Sequence, residues 1–380
     1  MNENPLRELE SLGQSIWIDF IRRRTTLSGE LKSLIEEDGV SGVTSNPSIF
    51  EKAIAESSDY DETIHTLTGQ GKNAQEVFQS LAVEDIQMVA GLLRPTYDRT
   101  QGQDGFVSLE VSPALAHDTE GTIQEARRLW SLVNRPNCMI KVPGTREGLP
   151  AIQQLTAEGL NINITLLFGL PRYREVANAY ISGLESLAKE GKSIKQIASV
   201  ASFFLSRIDT LLDPVLEKII QAGGPQSETA QRLHGEVAIA SAKVAYQIYR
   251  EIFGSDRFQR LANMGAHTQR LLWASTSTKN PAYLDTKYIE PLIGPNTINT
   301  LPVETLEAYR DHGDPKQTLE ENVPEAYQVL SGLSTLGIDL DQATQQLEDQ
   351  GVEKFSTALN KLMAALKDKQ SALHTSQMQK

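Results

Sequence analysis

The sequence predicts an α/β fold, a (β/α)8 TIM barrel with additional N- and C-terminal helices. Two observations predict it. Eight short strand candidates are separated by helical segments, and this βαβα order calls for parallel strands joined by helical crossovers. No strand candidate is followed by G-x-G-x-x-G, so a doubly wound sheet with a dinucleotide site, the competing architecture, lacks its signature.

The elements follow in order. Residues 3–12 have the spacing of a short amphipathic helix. Ile16–Phe20 (IWIDF) is an apolar run carrying one carboxylate, Asp19. Gly29–Glu37 is helical, Gly39–Asn46 is β-like and stops at Pro47, and a helical region continues towards Thr68. Ala74–Leu93 is helix. Phe106–Pro113 alternates strictly as a half-buried strand does. Gly121–Val133 places Ile123, Ala126, Trp130 and Val133 at helical spacing. Asn137–Pro143 is a strand closed by Pro143 and Gly144, Gly148–Glu158 a helix, and Asn161–Phe168 a strand. Pro171–Lys189 is a helix with proline in its first turn, where the missing N–H costs nothing. Ile197–Leu205 is a strand. Arg207–Phe253 is helical and broken at Gly223-Gly224-Pro225, and Leu271–Ser275 and Thr297–Pro302 complete the strands. Helical segments around Leu330 and Phe355 are expected on the outside of the barrel. One domain is expected over residues 1–366, followed by a polar, frayed tail over 367–380.

Composition narrows the function. With 39% hydrophobic and 22% charged residues over 380 positions, the chain is globular. A net charge of −13 opposes a phosphate backbone, so nucleic acid is not an expected partner. A phosphorylated small molecule remains compatible, because a cationic pocket can sit in an acidic protein. No apolar run approaches the ~20 residues of a membrane span, and the N-terminus lacks a signal-peptide pattern. The single cysteine, Cys138, rules out an intrachain disulfide and suits a reducing compartment. A soluble cytoplasmic protein is expected. The six histidines are scattered and there is no CxxC, so no metal site is expected.

The chemistry starts at Lys141 in NCMIKVPGTREG. Burying an ammonium costs several kcal/mol unless it is paired or gives up its proton. A neutral amine can attack a carbonyl and form a Schiff base, whereas a lysine at a strand end can also simply snorkel to solvent. The other strands favour chemistry. In SLEVS, Ser108, Glu110 and Ser112 share one face; in NINIT, Asn161, Asn163 and Thr165 do. The outward face of a barrel wrapped in helices is apolar, so these polar faces point into the lumen. Lys141, the carboxylates Asp19 and Glu110, the amides Asn46 and Asn163, the hydroxyls Thr165 and Ser202, and the cations Arg207 and Lys279 then form one candidate site. Lysine with carboxylates points to Schiff-base chemistry on a carbonyl substrate, and cations at strand ends suit a phosphate on it.

The motifs GVTSNPSIF, SLEVSP, IKVPGTREG, NINITLLF, VASFFLSRID, WASTSTKNP and LIGPNTINTLP occur in this order. On them, from about Ile16 to about Leu366, the chain resembles the transaldolases, in particular their longer bacterial form. The resemblance implies a (β/α)8 barrel that needs no cofactor. It also implies transfer of a dihydroxyacetone unit from sedoheptulose 7-phosphate to glyceraldehyde 3-phosphate, giving erythrose 4-phosphate and fructose 6-phosphate. Lys141 is then the Schiff-base lysine, Asp19 the base in C–C cleavage, and Glu110 a proton shuttle through a water held by Thr165. Asn46 and Asn163 would bind hydroxyls of the dihydroxyacetone unit, Ser202 the substrate beside the Schiff base, Phe204 would shape the pocket, and Arg207 would bind phosphate. The sequence departs from the family on strand seven, where an arginine is usual after Ala-Ser-Phe. Here Lys279, in ASTSTK, takes that part, with Ser275 or Ser277 in support. Ser202 is followed by Phe203 where proline is common. A fructose-6-phosphate aldolase on the same frame, and a barrel that binds sugar phosphates without turnover, are the competing readings.

Smaller signals have bland expectations. Arg22-Arg23-Arg24 is read as a solvated helix face, and Trp17 and Trp273 as strand residues packed against helices.

Overall fold

Eight parallel strands close into a barrel in chain order, as the alternation predicts. The computed structural model describes residues 4–378, with side chains from 4 to 372. The strands are β1 (Gln14–Ile18), β2 (Val40–Val43), β3 (Phe106–Glu110), β4 (Cys138–Pro143), β5 (Ile162–Leu167), β6 (Ser199–Phe204), β7 (Arg270–Ala274) and β8 (Thr297–Leu301). Before β3 come α1 (Pro5–Ser11), α2 (Arg23–Ser28), α3 (Glu30–Glu37), α4 (Pro47–Ala55), α5 (Asp61–Gly69) and α6 (Ala74–Arg99). The crossovers that follow use α7 (Thr119–Val133), α8 (Gly148–Ala157) and α9 (Leu170–Lys189). Four helices, α10 (Ser206–Ala222), α11 (Ser227–Leu233), α12 (Val237–Phe253) and α13 (Asp256–Ala262), join β6 to β7. After β8 come α14 (Val303–His312), α15 (Val323–Thr335) and α16 (Leu340–Met378).

The outward strand residues are branched and aliphatic, and they meet apolar stripes of the helices. Ile140, Val142, Ile162 and Ile164 are fully buried, as are Ala151 and Ile152 of α8 and Val176 of α9. Trp273 follows the same pattern, packing edge-on against Phe203, which in turn meets Tyr173 of α9. Trp17 does not. It has the parity of Ser15 and Asp19 and turns into the lumen, where Nε1 donates to Asp104 at 2.7 Å and the ring lies 6.4 Å from Phe106. A Cβ on Gly42, its β2 neighbour, would come within 2.3 Å of the ring, so only glycine lets Trp17 fill the space. Below it, Arg270 donates to Ser15 and to the Thr297 carbonyl and plugs the base of the barrel.

Arg23 also departs from expectation. It is buried, its guanidinium donating to Asp85 at 2.9 Å and Glu84 at 2.7 Å, and it ties α2 to α6. Desolvating a guanidinium is tolerable here because two carboxylates compensate it.

The largest difference is at the C-terminus. Far from packing only on the outside, α16 crosses the C-terminal mouth of the barrel. Its Gly351 meets Leu166 of β5 and Arg207 of α10, and Glu348 accepts from Arg172 of α9. The polar stretch from 367 onwards continues the helix to Met378, and residues 379–380 lie outside the described residues. Lys369 donates to the Ser57 carbonyl and Asp61, and Gln370 to Thr68 and the Lys72 carbonyl. Those side chains are polar because they clasp α5 and the exposed backbone around it. Among the described residues no helix is long and apolar enough to cross a membrane.

Candidate active site

A cavity of about 670 Å³ opens at the C-terminal ends of the strands, where barrels of this class carry their sites. Lys141, Asp19, Asn46, Ser202, Phe204, Arg207 and Lys279 all line it. The remaining three predicted residues sit in the strands beneath and beside it. Glu110 is the β3 neighbour of Lys141, Asn163 its β5 neighbour, and Thr165 follows on β5.

Strand parity explains why Lys141 is inside. Its neighbours Ile140 and Val142 face the helices, so Lys141 must face the lumen, where it is only 4% exposed. Nζ donates to the Ser45 carbonyl at 3.2 Å and stands 4.0 Å from Glu110 Oε2. Burial pushes the Glu110 carboxyl up to about 7, against the pull of Lys141 and with a smaller push from Asp19. Neither Glu110 oxygen has a hydrogen-bond partner, and nor does the buried Thr165 Oγ1. Buried polar atoms are normally partnered, so these three oxygens keep hydrogen-bonding capacity to spare.

Asp19 lies one residue beyond β1. Its Oδ1 accepts from Thr44 Oγ1 at 2.7 Å, and Thr44 in turn lies 2.7 Å from Thr300 Oγ1. Burial raises its pKa, opposed by Lys141, by the Thr44 hydrogen bond and by Arg207. Asn163 and Ser202 form a chain across the floor: Asn163 Nδ2 donates to Ser108 at 2.9 Å, and Ser202 donates to Asn163 Oδ1 at 2.7 Å. Asn46 caps α4, its Oδ1 accepting from the Ile49 N–H at 3.1 Å, which leaves its NH₂ group for the cavity.

At the mouth, Arg207 opens α10 and is stacked between Phe204 and Phe355, 5.4 and 5.9 Å from the ring centres. Lys279 donates to Ser277 at 2.5 Å, beside the cavity. Sequence reasoning missed Thr44 and Thr300, placed Ser108 in the lumen without giving it a part in the site, and missed the contribution of α16, whose Lys354, Phe355 and Lys361 also line the cavity. Thr44 stands one residue beyond β2 and two before Asn46, where the polar run Thr44-Ser45-Asn46 is the signal. The α16 residues have no local signal, since nothing near them says which surface the helix covers.

A model of the Transaldolase/Fructose-6-phosphate aldolase family matches residues 16–366. A protein of Trichodesmium erythraeum named Transaldolase is 46% identical over 373 residues, covering 97% of this chain and 98% of that protein. Transaldolase 2 of Nostoc punctiforme is 47% identical over 374 residues, covering 97% and 98%. A Transaldolase of Thiobacillus denitrificans is 46% identical over 363 residues, covering 96% and 99%.

Proposed function

The chain belongs to the transaldolase/fructose-6-phosphate aldolase family, and from that premise we propose that it moves a dihydroxyacetone unit between sugar phosphates through a Schiff base on Lys141. The donor is sedoheptulose 7-phosphate and the acceptor glyceraldehyde 3-phosphate, with erythrose 4-phosphate and fructose 6-phosphate as products. The observation that carries the assignment of Lys141 is its position: a nearly fully buried amine at the floor of a cavity, 4.0 Å from one carboxylate and sharing that cavity with a second.

The residue roles follow from the chemistry. Lys141 Nζ adds to the ketose carbonyl, and the resulting carbinolamine must lose its hydroxyl as water. Glu110, protonated over part of the neutral range, supplies the proton through a water shared with Thr165. The protonated imine then acts as an electron sink. Asp19 takes the proton of the donor's C4 hydroxyl, the C3–C4 bond breaks, an aldose phosphate leaves, and the bond's electrons settle as an eneamine. The reverse sequence joins the eneamine to the acceptor aldehyde, with Asp19 returning the proton, and hydrolysis of the new imine frees Lys141. Asn46, Asn163 and Ser202 hold the dihydroxyacetone hydroxyls. Phe204 walls the pocket, and Arg207 and Lys279 take the phosphate. A cavity with α16 across its mouth suits an eneamine that must wait for an aldehyde and avoid protonation by water. The single, buried Cys138 suits a reducing cytoplasm, where these sugar phosphates are found.

Borohydride trapping tests the proposal. Reduction in the presence of fructose 6-phosphate should leave a dihydroxyacetone-sized adduct on the peptide bearing Lys141. No adduct there would remove the Schiff-base role. Added erythrose 4-phosphate should discharge the eneamine into sedoheptulose 7-phosphate; release of free dihydroxyacetone in its place would favour the aldolase reading.

A further inference from the structure

The cavity mouth carries more positive charge than the roles above use. Five cations line it, Arg207, Lys279, Lys52 of α4, and Lys354 and Lys361 of α16, in company with the carboxylates Glu51, Glu304 and Glu353. None of the five makes an ion pair among the described residues. Most of the arginines find carboxylates among the described residues, and Arg207 does not. Lys354 and Lys361 are seven residues apart, two turns of one helix, and so share the face turned to the barrel. Phe355, adjacent to Lys354, stacks on the Arg207 guanidinium and brings the two charges into one corner.

Resting on the Schiff-base reading, we propose that Lys354 is a specificity-determining residue: it binds the sugar's phosphate together with Arg207, so that the substrate itself bridges the barrel end to α16. Unpaired like charges repel, and the Lys354 ammonium is held below the usual lysine value by Arg207 first, then by partial burial, then by Lys279 and Lys52. A dianionic phosphate among them relieves that repulsion, whereas a neutral sugar leaves it in place. The donor set also suits the reaction's geometry. The two aldose phosphates that leave or enter differ by one carbon, so the phosphate must sit at two depths. Lysine ammonium groups on flexible stems follow such a shift better than a fixed planar fork does.

The test compares Lys354→Met with Lys354→Arg and with Lys32→Met. Lys32 lies 61% exposed on α3, beside the opposite end of the barrel, and controls for the loss of one charge. Two readouts are taken on each: direct calorimetric binding of inorganic phosphate, and KM and kcat for fructose 6-phosphate. In Lys354→Met the phosphate Kd and the KM should both rise by about tenfold or more, the loss of one charge-assisted contact. The kcat should fall by less than about threefold, and Lys354→Arg should restore most of the loss. A phosphate Kd in Lys354→Met within about twofold of that in Lys32→Met would overturn the proposal. Phosphate binding needs no turnover, so it still decides the role of Lys354 should Lys141 form no adduct.

Discussion

Lys141 Nζ stands 4.0 Å from Glu110 Oε2, and the two side chains are only 5% and 4% exposed. Two buried ionisable groups at this distance depend on one another. Removing either leaves a desolvated partner, which then prefers its neutral form. Lys141→Met should therefore leave a protonated Glu110 in an otherwise intact barrel. Turnover should fall by at least about 10³-fold and the borohydride adduct should vanish, because no other group supplies the nucleophile. Calorimetric phosphate binding should survive, which separates loss of chemistry from loss of fold.

Glu110 gives a pH dependence with a definite sign. Burial raises its pKa from 4.5 to about 7 in the folded protein. A raised folded pKa contributes stability that is complete below 4.5 and is lost as pH rises through about 7, by at most about 3 kcal/mol. Thermal unfolding of the wild type should show this downward slope, and Glu110→Gln should flatten it. On the proposed mechanism the same ionisation removes the proton that Glu110 would lend to the carbinolamine. Imine formation, followed by single-turnover trapping, should slow above about pH 7 in the wild type and run at least about 10²-fold slower in Glu110→Gln, without that limb.

These two residues were legible because β-strands alternate. Once Ile140 and Val142 are taken as outward, Lys141 must point inward, and the same parity places Glu110, Asn163 and Thr165. The barrel followed from the order of strands and helices. Trp17 shares Asp19's parity, yet from sequence it is expected against the helices; the room that Gly42 leaves for an indole in the lumen shows only in the fold. What parity cannot reach is α16. Its amphipathic pattern says that one face is buried, but the partner surface, with Leu166 and Arg207 far back in the chain, is fixed only by tertiary packing. Lys369 and Gln370 look like tail residues for the same reason: their partners are backbone carbonyls and side chains near α5.

Thr44 should tune Asp19. Its hydroxyl donates to Asp19 Oδ1 at 2.7 Å and works against the burial that raises the carboxyl's pKa. Thr44→Val keeps the shape and removes the donor. The Asp19 pKa should then rise further, so that the acidic limb of kcat/KM for fructose 6-phosphate moves to higher pH, and kcat at neutral pH should fall by about tenfold. Asp19→Asn should lose at least about 10²-fold at every pH. An acidic limb that stays in place in Thr44→Val would show that Asp19 is not the base it reports.

Gly351 decides how closely α16 covers the site. A Cβ there would lie 2.7 Å from Leu166 Cδ2 and 3.6 Å from an Arg207 nitrogen. Leu166 has little room to yield, since it is fully buried and holds a left-handed φ of 57° where β5 shifts register against β6. Replacing Gly351 with alanine gains about 1 kcal/mol of helix propensity and opposes it with a contact that one side chain can partly absorb. Leucine cannot be absorbed and must lift the helix. Gly351→Leu should therefore lower Tm by several degrees, about 1–3 kcal/mol of overpacking. It should also raise KM for fructose 6-phosphate by about tenfold, as Phe355 and Lys354 withdraw from Arg207. A lifted helix also admits water, so free dihydroxyacetone should appear as a side product when the acceptor is withheld. Its rate relative to the wild type, followed by a coupled reductase, measures how far the helix protects the eneamine.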